Sequence, residues 1–268
     1  MILSTKETAD AVIKMGVSKS ESSIIKIFLM GIMGGIFIGV GFLAYFTVVQ
    51  SLSTLSIGLA KLLGASTFPV GIVLCVLVGG SLFTGNNLLT LALFNKKISF
   101  LQLVRNWSVV WLGNLVGSVI LAFIIFHTET LAKGPIFESV MAAVSSKTSY
   151  TFTKAVWSGF MCNILVTLAV WMSLAAKDVT GKILALWFPV MTFVLIGFEH
   201  SVANMFILSI GHMLNPEIYT LGEMFTINLI PVSIGNALSG GLFIPFIYWK
   251  IYYKKTVPVR VLSEVESA

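Results

Sequence analysis

Charge is scarce in this chain: Asp, Glu, Lys and Arg make up 10% of its 268 residues, while hydrophobic residues make up 57%. Soluble domains carry about a quarter charged residues, so that class is excluded, and the mean hydropathy of +0.97 marks a polytopic membrane protein. Cysteine is scarcer still. Cys75 and Cys162 each lie inside an apolar run, where they read as small core residues rather than a disulfide or a metal site. Nor do residues 1–26 hold an apolar run that could serve as a signal-peptide core; they carry Lys6, Glu7, Asp10, Lys14, Lys19 and Glu21 instead. The amino terminus is therefore expected in the cytoplasm. Within it Ser4-Thr5-Lys6-Glu7 has the form of a capping box, with Ala9, Val12, Ile13 and Gly16 following at helical spacing. That predicts a short amphipathic helix on the membrane surface.

What the chain has in quantity is long apolar runs. A helix needs about 20 apolar residues to cross the hydrocarbon core. Six stretches qualify: residues 27–49, 68–94, 109–126, 155–175, 183–210 and 227–248. The fold class expected is an all-α membrane protein, one domain over residues 1–268. It divides into an amino-terminal segment 1–23, a six-span core 24–250 and a cytoplasmic tail 251–268. With the amino terminus inside, thirteen basic residues fall on the cytoplasmic side and four, Lys61, Lys133, Lys147 and Lys154, on the other. This positive-inside bias predicts that both termini are cytoplasmic, and it makes the net charge of +6 an orientation signal rather than a nucleic-acid patch.

The second and fifth stretches are longer than one straight crossing needs. Each holds a polar, glycine-bearing interruption, residues 79–87 and Gly197-Phe198-Glu199-His200-Ser201. Both predict broken helices, and non-helical backbone at membrane depth persists only where it is enclosed by protein or lines a cavity. Glu199 and His200 are the ionisable groups placed deep in an apolar stretch, which makes them the first candidates for function. An internal repeat accompanies the breaks. Residues 113–118, Gly-Asn-Leu-Val-Gly-Ser, resemble residues 235–240, Gly-Asn-Ala-Leu-Ser-Gly, 122 positions later, and Leu82 and His200 stand 118 apart. Two units of three spans must lie in opposite orientations, an inverted repeat with its site at the midplane. Gly31, Gly35 and Gly39 form a small-residue packing face in the first span, and the tryptophans fall mostly near span ends as interfacial anchors.

The run from Gly197 to Met205, Gly-Phe-Glu-His-Ser-Val-Ala-Asn-Met, resembles the signature of the formate/nitrite transporter family. Leu82-Phe83-Thr84-Gly85-Asn86 is similar to that family's second-helix loop. Residues 151–156, Cys162-Asn163, Ala169-Val170-Trp171-Met172 and Gly235-Asn236 extend the likeness over nearly the whole chain. Within the family the chain looks closest to the hydrosulfide channel branch. The resemblance implies an aquaporin-like protomer, assembled as a homopentamer in the inner (plasma) membrane, each protomer with a pore for small monovalent anions such as hydrosulfide, formate and nitrite. It implies that His200 is the central pore histidine and Thr84 its hydroxyl-bearing counterpart. Glu199, Lys147 and Asn163 match a group that couples the loops electrostatically, and Asn236 a polar position on the sixth helix. Phe68, Ile72, Leu82, Phe83 and Phe193 would form apolar slits above and below the histidine. No cofactor is implied.

Physical chemistry fits that arrangement. A bare anion loses its hydration at a cost of several kcal/mol in an apolar constriction, whereas the neutral conjugate acid loses far less. A basic residue on the outer approach, Lys147 with Lys154 as a competitor by position, would draw the anion in. His200 and Thr84 would then discharge it by a proton or a strong hydrogen bond, giving a passive channel or a proton-coupled facilitator. Two alternatives remain at this point. An intramembrane enzyme would also bury a Glu-His pair, but the chain lacks His-Glu-x-x-His, a nucleophile with a second base and a metal-ligand cluster. A neutral-solute channel of aquaporin type would carry paired Asn-Pro-Ala motifs, and the lone Asn215-Pro216 lies in a loop.

Overall fold

A computed structural model describes residues 2–52 and 56–254; most of the expected tail, with Lys255 and Arg260, lies outside the described residues. Among the described residues the chain is helical, with a single bridge pairing Ile2 and Ala176. Six helical segments among these residues are long and apolar enough to cross a membrane: Ile24–Leu52, Ile57–Gly79, Phe100–His127, Phe152–Ala175, Val179–Ile196 and Leu221–Tyr252.

Helix α1 (Thr5–Glu21) begins at the expected capping box, with Glu7 and Ser4 exchanging side-chain and backbone hydrogen bonds. Its apolar side is turned to the protein. Thr8, Ala9, Val12, Gly16 and Ser20 are buried against the protein, because the apolar side of the helix is small enough to seat closely on Leu89 and Ala92. The first span is α2 (Ile24–Leu52). Its glycine face meets the third span, with Gly31 against Val110 and Gly113, and a Cβ at Gly35 would overlap the Asn114 carbonyl. Glycine is what lets the two backbones approach.

The second span starts earlier than its apolar run suggests. Ser56 caps α3 (Ile57–Thr67), whose Lys61, Ser66 and Thr67 dilute the hydropathy without ending the helix. Pro69 then precedes α4 (Val70–Leu74), a position where its missing N–H costs nothing. A π turn, Cys75–Gly79, follows, and Gly79 at φ +110° turns the chain out of the helix. Residues 80–82 are non-helical; α5 (Phe83–Asn86), a 3-10 turn Asn87–Leu89 and α6 (Thr90–Phe94) complete the first broken segment.

The third span is α7 (Phe100–His127), capped by Ser99 and Gln102. What reads in sequence as an outer loop holds α8 (Gly134–Thr148). The fourth span is α9 (Phe152–Ala175), and the fifth, α10 (Val179–Ile196), stops at Gly197, whose φ of +90° is the left-handed conformation that ends helices. After the non-helical residues 197–200, α11 (Ser201–Leu214) resumes. The sixth span runs through α12 (Leu221–Glu223), α13 (Ile230–Ala237) and α14 (Ile244–Tyr252), joined by π segments Met224–Leu229 and Leu238–Phe243. Each π segment ends two residues before a proline, Pro231 or Pro245, which cannot donate to the turn behind it.

The two halves repeat in detail, and α8 is the image of α1. Lys19 and Gly31 correspond to Lys147 and Gly159, 128 positions later, while Ser81, Phe83 and Asn86 correspond to Glu199, Ser201 and Asn204, 118 later. Asn106 and Asn114 correspond to Asn228 and Asn236, at the 122 interval. Their hydrogen bonds match too, as the site makes plain.

Candidate functional site

Each break is pinned by one asparagine of its own half. Asn114 Nδ2 donates to the carbonyls of Gly31 (2.8 Å) and Ser81 (2.7 Å), and its Oδ1 accepts from the Phe83 N–H (2.9 Å). Asn236 Nδ2 donates to the carbonyls of Gly159 (2.8 Å) and Glu199 (3.1 Å), and its Oδ1 accepts from the Ser201 N–H (3.0 Å). Both side chains are fully buried. An amide serves here because it supplies two donors and an acceptor to backbone groups freed by unwinding.

A second matched set surrounds a lysine in each half. Lys147 Nζ lies 2.9 Å from both oxygens of Glu199; Asn204 Nδ2 donates to Glu199 Oε2 (2.5 Å) and to Asn228 Oδ1 (2.7 Å), and Asn228 Nδ2 to the Lys147 carbonyl (3.0 Å). In the first half Lys19 Nζ donates to Asn86 Oδ1 (2.6 Å), Asn86 Nδ2 to Asn106 Oδ1 (2.8 Å), and Asn106 Nδ2 to the Lys19 carbonyl (3.0 Å). The difference is at one position: Glu199 is matched by Ser81, so Lys19 has no carboxylate at ion-pair distance among the described residues. Burial without a counter-charge pulls the Lys19 pKa from 10.5 down to about 8.

The two breaks meet at His200 and Thr84. His200 Nε2 and Thr84 Oγ1 are 3.0 Å apart, both residues are buried, and the imidazole stacks at 15° on Phe193 with ring centres 5.7 Å apart. His200 is also the N-cap of α11, its Nδ1 accepting from the Ala203 N–H at 3.1 Å. That bond leaves Nδ1 without a proton, so the neutral ring carries its hydrogen on Nε2, aimed at Thr84. Asn163 ties the halves together a second time, its Nδ2 lying 2.8 Å from the Asn236 carbonyl, 2.8 Å from Asn87 Oδ1 and 3.3 Å from the Thr84 carbonyl.

A cavity of about 300 Å³ is lined by His200 and Phe193; Tyr45, Phe46, Lys147, Tyr150 and Glu199 are among its other walls. Of the five expected slit residues, Phe193 lines this cavity and Phe68 backs it, its ring edge-on to Phe193 at 5.7 Å. Ile72 and Leu82 are buried in the core beside them, Leu82 in the position before Phe83 that matches His200 in the repeat. Phe83 turns toward α7, where its ring meets Trp107 at 5.9 Å and lines a separate groove. Lys147, which reads from sequence as a loop residue, stands on the last turn of α8, and its competitor Lys154 sits 3.9 Å over the ring of Tyr150. Two tryptophans expected as interfacial anchors are structural instead: Trp107 Nε1 donates to the Asn86 carbonyl and Trp111 Nε1 to Ser233 Oγ. Lys19, Asn106 and Asn228 were missed as site residues. The 128-residue interval between Lys19 and Lys147 is the signal that finds the first of them.

A cavity lined by the second pinned break and its buried histidine, on six helices long and apolar enough to span a membrane, is the arrangement of a transport protein. The chain belongs to the formate/nitrite transporter family, whose description it matches over residues 6–250. It is 40% identical over 261 residues to the uncharacterized transporter YrhG of Bacillus subtilis, covering 97% of each chain. It is 35% identical over 259 residues to the formate channel FocA of Escherichia coli K12, covering 90% of this chain and 91% of that one. A solved pentameric formate channel with formate bound superposes with a TM-score of 0.76 at 39% identity, over 86% of this chain and 98% of its own. These relatives are channels and transporters, so the intramembrane enzyme is set aside.

Proposed function

We propose that this protein passes small monovalent anions of weak acids through a pore in each protomer of a pentamer. Its place is the inner membrane, and its lysine distribution supports an orientation with both termini cytoplasmic. Formate is the foremost candidate because two relatives bear that name. Nitrite and hydrosulfide share its chemistry, and the hydrosulfide branch rests on overall likeness alone.

The observation that carries the reading is the buried 3.0 Å contact of His200, a wall of the cavity, with Thr84 of the first break. Apolar residues around it, Phe193 stacked on the imidazole, Phe68 edge-on to Phe193 and the buried Leu82, raise the cost of a bare charge, so a permeant must be discharged or strongly hydrogen-bonded to pass. The Nε2–H of His200 and the hydroxyl of Thr84 supply donors at that depth. Proton movement with the anion follows if the ring first takes up a second proton at Nδ1, releasing the Ala203 N–H, and passes one on from Nε2; a passive channel follows if the neutral ring only hydrogen-bonds the anion. Glu199 and Lys147 hold the second loop in place, Asn236 and Asn163 lock it to its neighbours, and Lys19 is the cation on the opposite approach.

The test is flux into proteoliposomes of formate, nitrite, hydrosulfide, chloride and glycerol across pH, for the wild type, His200→Asn and Thr84→Ala. Weak-acid anions should pass faster than chloride, with glycerol excluded. Each substitution should slow passage by about tenfold or more, the cost of one lost charge-assisted hydrogen bond. Equal glycerol passage defeats the anion reading, and unchanged flux in His200→Asn defeats the discharge step.

A further inference from the structure

We infer that Lys154, seated on Tyr150, forms the outer capture site for the permeant anion, and that Lys147 positions the loop without supplying the attracting charge. The inference rests on the transport reading above. It starts from the charge at the cavity. Lys147 Nζ is equidistant, at 2.9 Å, from both carboxylate oxygens of Glu199, and the two side chains are 12% and 4% exposed. The pair is net neutral to anything beyond it. The attraction expected of a basic residue at this mouth must come from elsewhere.

Lys154 meets the requirement. It lies on the first turn of α9, exposed, and no carboxylate reaches ion-pair distance among the described residues. Among the acids on the same side, Glu129 lies 3.5 Å from Lys133 and Glu223 caps its own helix on Thr220, while Glu138 and Glu217 make no ion pair among the described residues. The ammonium is held by the face of Tyr150, 3.9 Å from the ring centre. A π face fixes a cation without consuming its N–H donors, so the charge is placed yet free to bind. Tyr150 itself lines the cavity. Burial, with the Glu199 charge adding to it, pushes the Tyr150 pKa up and keeps its hydroxyl a donor. Lys154 is not itself a wall of that cavity, but its ammonium stands on the ring of a residue that is, so an oxyanion at this wall comes under its charge and meets a phenol O–H in the cavity that His200 also lines.

The internal repeat shows that this seat is a one-sided addition. Lys26 corresponds to Lys154 and Ser22 to Tyr150 at the 128 interval, so the other mouth keeps the lysine and lacks the ring. Lys26 lines a surface groove together with Ser22, Lys14 and Lys97.

The test is the salt dependence of initial formate uptake into proteoliposomes, at about 20 and about 300 mM potassium gluconate, where the Debye length falls from roughly 20 to 6 Å. Wild-type uptake should fall severalfold as salt rises. Lys154→Gln should show, already at low salt, the wild-type high-salt rate, and should lose most of the salt dependence. Tyr150→Leu should lose part of it, whereas Tyr150→Phe should keep it while raising KM about twofold through the lost O–H. Lys61→Gln, an exposed lysine of α3 on the same side, should match the wild type. Full wild-type salt dependence in Lys154→Gln overturns the inference, as does its loss in Lys61→Gln. Absence of wild-type anion flux at every salt would instead overturn the transport reading.

Discussion

Lys19 holds its ammonium on Asn86 Oδ1 at 2.6 Å, with Ser81 where the repeat has Glu199 and no carboxylate at ion-pair distance among the described residues. With its pKa lowered to about 8, the side chain is about nine-tenths charged at pH 7 and about one-tenth charged at pH 9. If its charge draws anions to this mouth, the drive should fall about tenfold in occupancy over that interval. The assay is uptake with pH clamped equally on both sides, for the wild type and Lys19→Gln, read as the ratio of rates at each pH. Taking the ratio removes the changing fraction of neutral acid, which affects both proteins alike. The ratio should be several-fold at pH 7 and approach one above pH 9. Ser81→Glu, which supplies the missing carboxylate, should keep the lysine charged beyond pH 9 yet lower the rate, because the pair is then neutral. Stability gives a second reading with a definite sign. A lysine whose pKa is lower folded than unfolded destabilises the fold while charged, so stability should rise between pH 8 and 10.5. The bound is about 3 kcal/mol, reduced by the water that reaches this partly buried chain. A rate ratio that stays flat from pH 7 to 9, or one that grows with pH, would refute the reasoning.

Glu199→Gln leaves Lys147 buried without its counter-charge and should cost about 3–5 kcal/mol, seen as a lowered melting temperature in detergent. The double variant Glu199→Gln/Lys147→Gln should recover most of that loss. Asn114→Ala frees two carbonyls and one N–H in the buried first break and should cost about 3 kcal/mol or more. Asn236→Ala should do the same for the second break, and similar penalties at the two sites would reflect their matching bonds.

The broad plan was open to reading because apolar length and glycine placement have local causes. Gly197 and Gly79 adopt positive φ at the points where the sequence predicts interruption. The approach of Thr84 to His200 across 116 positions is a tertiary fact, legible only through the two breaks and the family likeness. The identity of α8 was hidden because Lys133, Glu138 and a run of serines give it the composition of a loop; its apolar stripe, Ile136, Val140 and Val144, is short but buried. Trp107 and Trp111 look like anchors by position, yet an indole N–H near freed backbone or hydroxyl groups is drawn inward to satisfy them. Lys19 reads in sequence only as an orientation charge, since one lysine in a polar segment carries no local mark of burial.

The paired asparagine clamps make the backbone of this protein two-faced: an ion entering from either side meets the same helices, the same pinned loop and a lysine at the same register. What it meets in side chains is not the same. Ser81 and Leu82 face Glu199 and His200 across the repeat, and Tyr150 has only Ser22 as its image. Whatever preference the molecule has for inward or outward passage is therefore written in a few side chains on a scaffold that has no direction of its own.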